Sequence, residues 1–149
     1  MNSNEDQIRV RYSYLPEQFS NCSDLWEELK KFVESGDFTL GAPLEKFENN
    51  FASLIGTDHA VGVNSGTDAI KLSLKALGVG RGDEVITAAN TFVATVGAIC
   101  EIGAIPVFVD CDDTFCMDVT KVEGLITEKT KAIVPVHFSG CMSDMKKIE

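Results

Sequence analysis

Two apolar stripes at helical spacing come first along the chain, and a β-rich alternation follows. Ser23 stands where an N-cap belongs. Trp26, Leu29 and Val33 then recur on one helical face, with Phe32 beside them, until Ser35-Gly36-Asp37 breaks the pattern. After a short loop over 38–42, Pro43 marks a first helical position, and Leu44, Phe47, Phe51 and Leu54 form a second stripe that stops at Gly56. Both stripes are expected to face a core. From His59 onward, short β-rich runs at 59–63, 84–88, 105–110 and 131–137 alternate with helical stretches at 66–77, 91–102, 119–126 and 142–148. That alternation predicts an α/β fold built of βαβ units on a parallel sheet with right-handed crossovers. The runs are apolar on both sides, so helices should cover both faces of the sheet. Residues 1–22 are polar, carry Pro16, lack a sustained period and read as an N-terminal arm ahead of a domain over 23–149. The pattern stops at Glu149 inside a helix just begun, which leads us to expect the first part of a longer protein.

Composition narrows the classes. Hydrophobic residues make up 44% and charged residues 24%, as in a soluble globular chain, against a disordered tail, a collagen-like rod or a disulfide-packed miniprotein. Thirteen Lys and Arg against 23 Asp and Glu leave a net charge of −10, the wrong sign for nucleic acid or an anionic membrane as main partner. A small phosphorylated ligand stays open, because a few backbone amides can hold one phosphate locally. The five cysteines fit neither a zinc site nor a Cys-x-x-Cys pair, and no apolar leader or membrane-length run is present, so reduced thiols in a cytoplasmic protein are expected.

Ligands of open α/β sheets bind where strand ends feed into helix starts. The first such point, Val63-Asn64-Ser65-Gly66-Thr67-Asp68-Ala69, offers an N-cap serine and an acid three residues on. The amides of Gly66, Thr67 and Asp68 and the Thr67 hydroxyl could cradle a phosphate there, although an ordinary capped helix has the same signature. It is not a Walker loop, and Gly78-Val79-Gly80-Arg81-Gly82 follows a helix, not a first strand, so it reads as a turn and not as a dinucleotide fingerprint. At the second point Phe92 could stack on a planar heterocycle or serve the core, and Asn90 could cap a helix or touch a ligand. The acids at 110, 112, 113 and 118 lack a His or Glu to complete a metal set and read as a solvated turn; no metal is expected. His137 reads as a strand-end histidine with a local hydrogen bond, and His59 as blander still.

The order of these signals is more specific than any one of them. Gly36-Asp37-Phe38-Thr39-Leu40-Gly41, Ser65-Gly66-Thr67-Asp68-Ala69, Leu77 through Thr87, Asn90 through Thr95, Gly103 through Asp110 and Thr130 through His137 together resemble the DegT/DnrJ/StrS family of pyridoxal-phosphate (PLP) sugar aminotransferases. The likeness covers nearly everything after about residue 30. It implies the N-terminal part of the large domain of a fold-type-I PLP enzyme, with Gly66, Thr67 and Asp68 on the cofactor phosphate and Phe92 stacked on its ring. It places Thr39, Asn90 and Ser139 on the substrate side of the site. It further implies a homodimer that moves an amino group from glutamate or glutamine to a keto sugar, usually nucleotide-linked.

The family's Schiff-base lysine, and the acid that pairs with the ring nitrogen, match no position up to Glu149. Lys71, Lys75 and Lys131 read as solvated surface. The chain alone is therefore expected not to catalyse transamination. The same family contains PLP-dependent sugar dehydratases, which stay open beside the aminotransferase. A non-catalytic α/β binding module is the reading from another class, and a nicotinamide-dependent oxidoreductase is weakened by the missing glycine fingerprint.

Overall fold

The computed structural model describes residues 12–149, and the first half of the expected N-terminal arm, residues 1–11, lies outside the described residues. The chain divides into two compact units, with the boundary in the sequence between Gly62 and Val63. In the first unit a single turn, α1 (Leu15–Gln18), carries Pro16 at its start and is followed by α2 (Ser23–Ser35) and α3 (Ala42–Ile55). Glycines in the left-handed region, Gly36 (φ 69°) and Gly56 (φ 79°), end the two longer helices as the sequence predicts.

Two expectations for this unit fail. Ser23 is the first helical residue and not the cap; Cys22 holds the cap position without a side-chain hydrogen bond. The apolar stripes do not face a core among the described residues. Trp26 is 61% exposed and Phe51 46%, with Leu29, Val33, Phe47 and Leu54 also open, and Ala52 is the one buried residue of α3. Helical periodicity specifies that a face is apolar, not what covers it.

The second unit runs α4 (Gly66–Ala76), β1 (Glu84–Ala88), α5 (Val93–Glu101), β2 (Ile105–Val109), β3 (Thr130–Val134) and α6 (Met145–Ile148). Its sheet is fully parallel in the order β2-β1-β3. Pairing with β3 skips Lys131, since Glu84 faces Thr130 and Val85 faces Ala132. Alternate residues of β1 serve two cores. Val85 packs with Leu74 of α4 and Ile99 of α5, whereas Ile86 and Ala88 pack with Val109, Met117 and Val122. The fold is therefore α/β with a covered parallel sheet, although the second face is covered largely by turns and by Ile148 of α6, not by a long helix.

The β-rich run at 59–63 forms no strand, because its backbone finds no ladder partner among the described residues and Val61 and Val63 stay exposed. The helix expected over 119–126 is two 3-10 turns, Val119–Lys121 and Glu123–Leu125. Asp118 caps the first by accepting the Thr120 N–H, and Gly124 weakens any continuation. The run at 105–110 ends one residue early, that at 131–137 three residues early, and α6 begins three residues later than its pattern.

Candidate functional site

Connectivity brings two helix starts to one edge of the sheet. α4 leads through residues 77–83 into the beginning of β1, so its N-terminus points toward the carboxyl ends of the strands, and α5 starts just past the carboxyl end of β1. The chain leaves β1 toward the face of Val85 and leaves β2 toward the opposite face. Such a divergence marks the carboxyl ends of the strands as the usual place for a ligand in open α/β sheets.

At the α4 start, Ser65 is an extended N-cap whose Oγ accepts the Asp68 N–H at 3.1 Å. The first N–H groups of a helix have no carbonyl four residues back. With the Asp68 amide engaged by the cap, those of Gly66 and Thr67 remain as the outward donors, two where the sequence suggested three. A Cβ built on Gly66 would meet nothing within 4 Å, so the side-chain position of Gly66 is open. Asp68 turns its carboxylate back to Ser65, whose Oγ lies 3.2 Å from Oδ2. Lys71 Nζ sits 2.7 Å from Asp68 Oδ1 and 3.2 Å from Glu101 Oε1 of α5. The hydrogen bond from Lys71 holds the Asp68 carboxyl below its usual value, and those to Asp68 and Glu101 raise that of the Lys71 ammonium.

Phe92 is the extended N-cap of α5 and 76% exposed, so it is not a core residue. Behind it the Thr91 hydroxyl bonds the Thr95 hydroxyl at 2.8 Å. Asn90 neither caps the helix nor stands free, for its Nδ2 donates to the Phe115 carbonyl at 3.4 Å. Phe115 lies beside Phe138, ring centroids 6.3 Å apart. Phe138 and Cys141 exchange backbone hydrogen bonds across a tight turn whose tip is Ser139 (φ 48°) and Gly140 (φ 83°). The loops after β1, β2 and β3 therefore meet, and Asn90 and Ser139 belong to one loop cluster. Thr39 belongs to the first unit, exposed in the turn before α3. In that turn Asp37 Oδ2 accepts the Ala42 N–H at 3.0 Å, and any Cβ on Gly41 would collide with the Asp37 carboxylate.

The remaining candidates have local partners. Asp112 accepts the Thr114 N–H, Asp118 accepts the Thr120 N–H, and Lys121 bridges Asp110 and Asp118. The Cys111 N–H and then Lys121 keep the Asp110 carboxyl below its usual value. Among the described residues no three metal-ligating side chains converge. His137 Nδ1 accepts the Ser143 N–H at 3.2 Å, the local bond expected of it. The residue the sequence reading missed is Lys71. It is no solvated lysine, its side chain being 23% exposed between two carboxylates. Its i,i+3 spacing from Asp68 was the available signal.

The model of the DegT/DnrJ/EryC1/StrS aminotransferase family matches residues 21–149. A dTDP-3-amino-3,4,6-trideoxy-alpha-D-glucose transaminase of Micromonospora megalomicea subsp. nigra is 48% identical over 135 residues, 90% of this chain and 36% of the relative. Among solved structures, DesV of S. venezuelae has a TM-score of 0.88 at 40% identity, covering 94% of this chain and 38% of that one. Ntda from Bacillus subtilis, with bound cofactor PMP, has a TM-score of 0.89 at 38% identity, covering 99% and 34%. The chain thus spans about a third of the length of the relatives it matches.

Proposed function

Because the chain belongs to the DegT/DnrJ/EryC1/StrS aminotransferase family, we propose that residues 23–149 are the N-terminal part of the PLP-binding large domain of a sugar aminotransferase. The observation that carries this reading is the pairing, at one sheet edge, of a helix start with two unspent amides and an exposed aromatic at the next helix start. The residues present fit the cofactor. The N–H groups of Gly66 and Thr67 and the Thr67 hydroxyl suit a phosphate, the open side-chain position of Gly66 leaves the backbone approachable, and the exposed ring of Phe92 suits stacking on a pyridine. Asp68 contributes its capping arrangement more than its amide.

When bound, the cofactor supplies an electron sink and a carrier for the amino group. The chain's own part is to hold the phosphate, orient the ring and shape the substrate side through the loops of Asn90 and Ser139; Thr39, which the family likeness also assigns to the substrate, belongs to the other unit. No position here matches the Schiff-base lysine, so the 149 residues should bind cofactor without transferring an amino group. The acceptor class is a keto sugar, in keeping with the sugar-transaminase name of the Micromonospora relative, whose dTDP moiety favours a nucleotide-linked one. The donor is glutamate or glutamine, the assembly a homodimer and the compartment the cytoplasm. No helix among the described residues is long and apolar enough to cross a membrane. The dehydratase and binding-module alternatives draw no support from the transaminase relative.

The test is titration of the chain with pyridoxamine phosphate, which lacks an aldehyde and cannot label stray lysines, against pyridoxamine. Saturable binding that needs the phosphate is expected, and equal, non-saturable behaviour of both overturns the reading. For the longer reading frame with PLP, a visible band that bleaches on adding glutamate is expected; a band that never forms would sink the aminotransferase.

A further inference from the structure

Asp68 poses an electrostatic problem at the α4 start. A carboxylate in a first helical turn is favoured by the helix dipole, but this one is folded back to within hydrogen-bond reach of Ser65 Oγ, the residue next to Gly66. A phosphate arriving there would meet a like charge. Lys71 stands one turn on, 2.7 Å from Asp68 Oδ1, and Glu101 on α5 fixes the ammonium from the other side. The lysines of the other i,i+3 pairs are more exposed: Lys31 is 67% exposed with no second partner among the ion pairs described, and Lys121, which also bridges two carboxylates, is 52% exposed. Held from two helices and only partly open to water, the Lys71 charge is less screened than theirs.

Resting on the phosphate reading of the Gly66–Thr67 amides, we propose that Lys71 is a positioning residue that neutralises Asp68, so that the cap can keep its carboxylate without repelling a phosphate. Lys71 does not touch the ligand. Its ammonium cancels Asp68, and Glu101 keeps it aimed.

The experiment measures pyridoxamine phosphate affinity of the 149-residue chain at low and high salt, with pyridoxamine as the phosphate-free control. Lys71→Met is expected to weaken pyridoxamine phosphate about tenfold at low salt, less at high salt, with pyridoxamine unchanged. Adding Asp68→Asn to that variant should restore affinity, because the charge Lys71 opposed is gone. Glu101→Gln should stay within about twofold of wild type, because its amide oxygen can still accept from Lys71 and hold the ammonium in place. Wild-type affinity in Lys71→Met, or no recovery in the double variant, overturns the inference. If Lys71→Met fails to fold by circular dichroism, Asp68→Asn alone decides. Tighter binding supports the repulsion, and looser binding means that Asp68 and Lys71 serve only the fold. A wild-type chain that does not bind pyridoxamine phosphate at all brings down the phosphate reading itself, and this inference with it.

Discussion

Ser65 Oγ accepts the Asp68 N–H at 3.1 Å, and that one bond sorts the donors of the first turn of α4. It engages one amide in capping and leaves the two nearest Gly66, where a Cβ would find only open space. Any serine-capped helix leaves its first two amides free in this way, and under the proposed reading these two face the cofactor phosphate.

Thr67→Val removes the hydroxyl while retaining shape. One hydrogen bond to a charged group contributes about 1.5–3 kcal/mol, so pyridoxamine phosphate affinity should fall roughly ten- to a hundredfold. Pyridoxamine binding should not move. Titration by fluorescence reads both, and an unchanged phosphate dependence would count against the assignment.

Phe92→Ala strips a ring that is 76% exposed. Stability should stay within about 0.5 kcal/mol, as for surface substitutions in general. Affinity for pyridoxamine phosphate should drop while competition by inorganic phosphate persists. A marked loss of stability would mean that the ring supports the fold and not a ligand.

Ser65→Ala takes away the α4 cap. Loss of such a cap costs about 1 kcal/mol, to be read as a lower denaturant midpoint at unchanged slope. No shift at all would show that the helix start is held by something other than Ser65.

The Asp68–Lys71 pair gives a pH dependence of known sign. Asp68 is held below its ordinary 3.8, so its contribution is present above that value and lost as pH falls through the lowered one. Lys71 is raised above 10.5, so its contribution is present below that value and lost as pH rises through the raised one. The stability gap between wild type and Lys71→Met should therefore be flat between about pH 5 and 9 and shrink on the acid side. Chemical denaturation across that range measures it, and a gap that widens in acid would contradict the pairing.

What the sequence revealed tracks the range over which each signal acts. Local punctuation was legible: β1 falls at 84–88 as read, α4 begins at Gly66, and Gly36 and Gly56 end their helices. Signals that depend on distant partners were not. The 59–63 run has strand composition but needs a neighbour to bond its backbone. The stripes of Trp26 and Phe51 specify an apolar face without naming its cover. Within the site, Ser65 could be placed from cap chemistry, but Phe92 was read inside a helix at 91–102 with stacking and core both open, and the link from Lys71 to Glu101 joins residues 30 apart that only the packing of α4 on α5 brings together.

The strand order β2-β1-β3 also governs how quickly the sheet can assemble. β1 and β2 are joined by the short crossover of α5, so their ladder closes a modest loop. β3 arrives at the opposite edge of β1 only after the chain has passed β2 and both 3-10 turns. Closing the longer loop costs entropy before any ladder bond returns it, which slows that half of the sheet. The Thr87 hydroxyl, buried in the finished strand, donates to the Val134 carbonyl at 2.9 Å. That hydroxyl is satisfied within the protein only once β3 is in place, so the longer loop closure bears directly on when this buried polar group exchanges water for a protein partner.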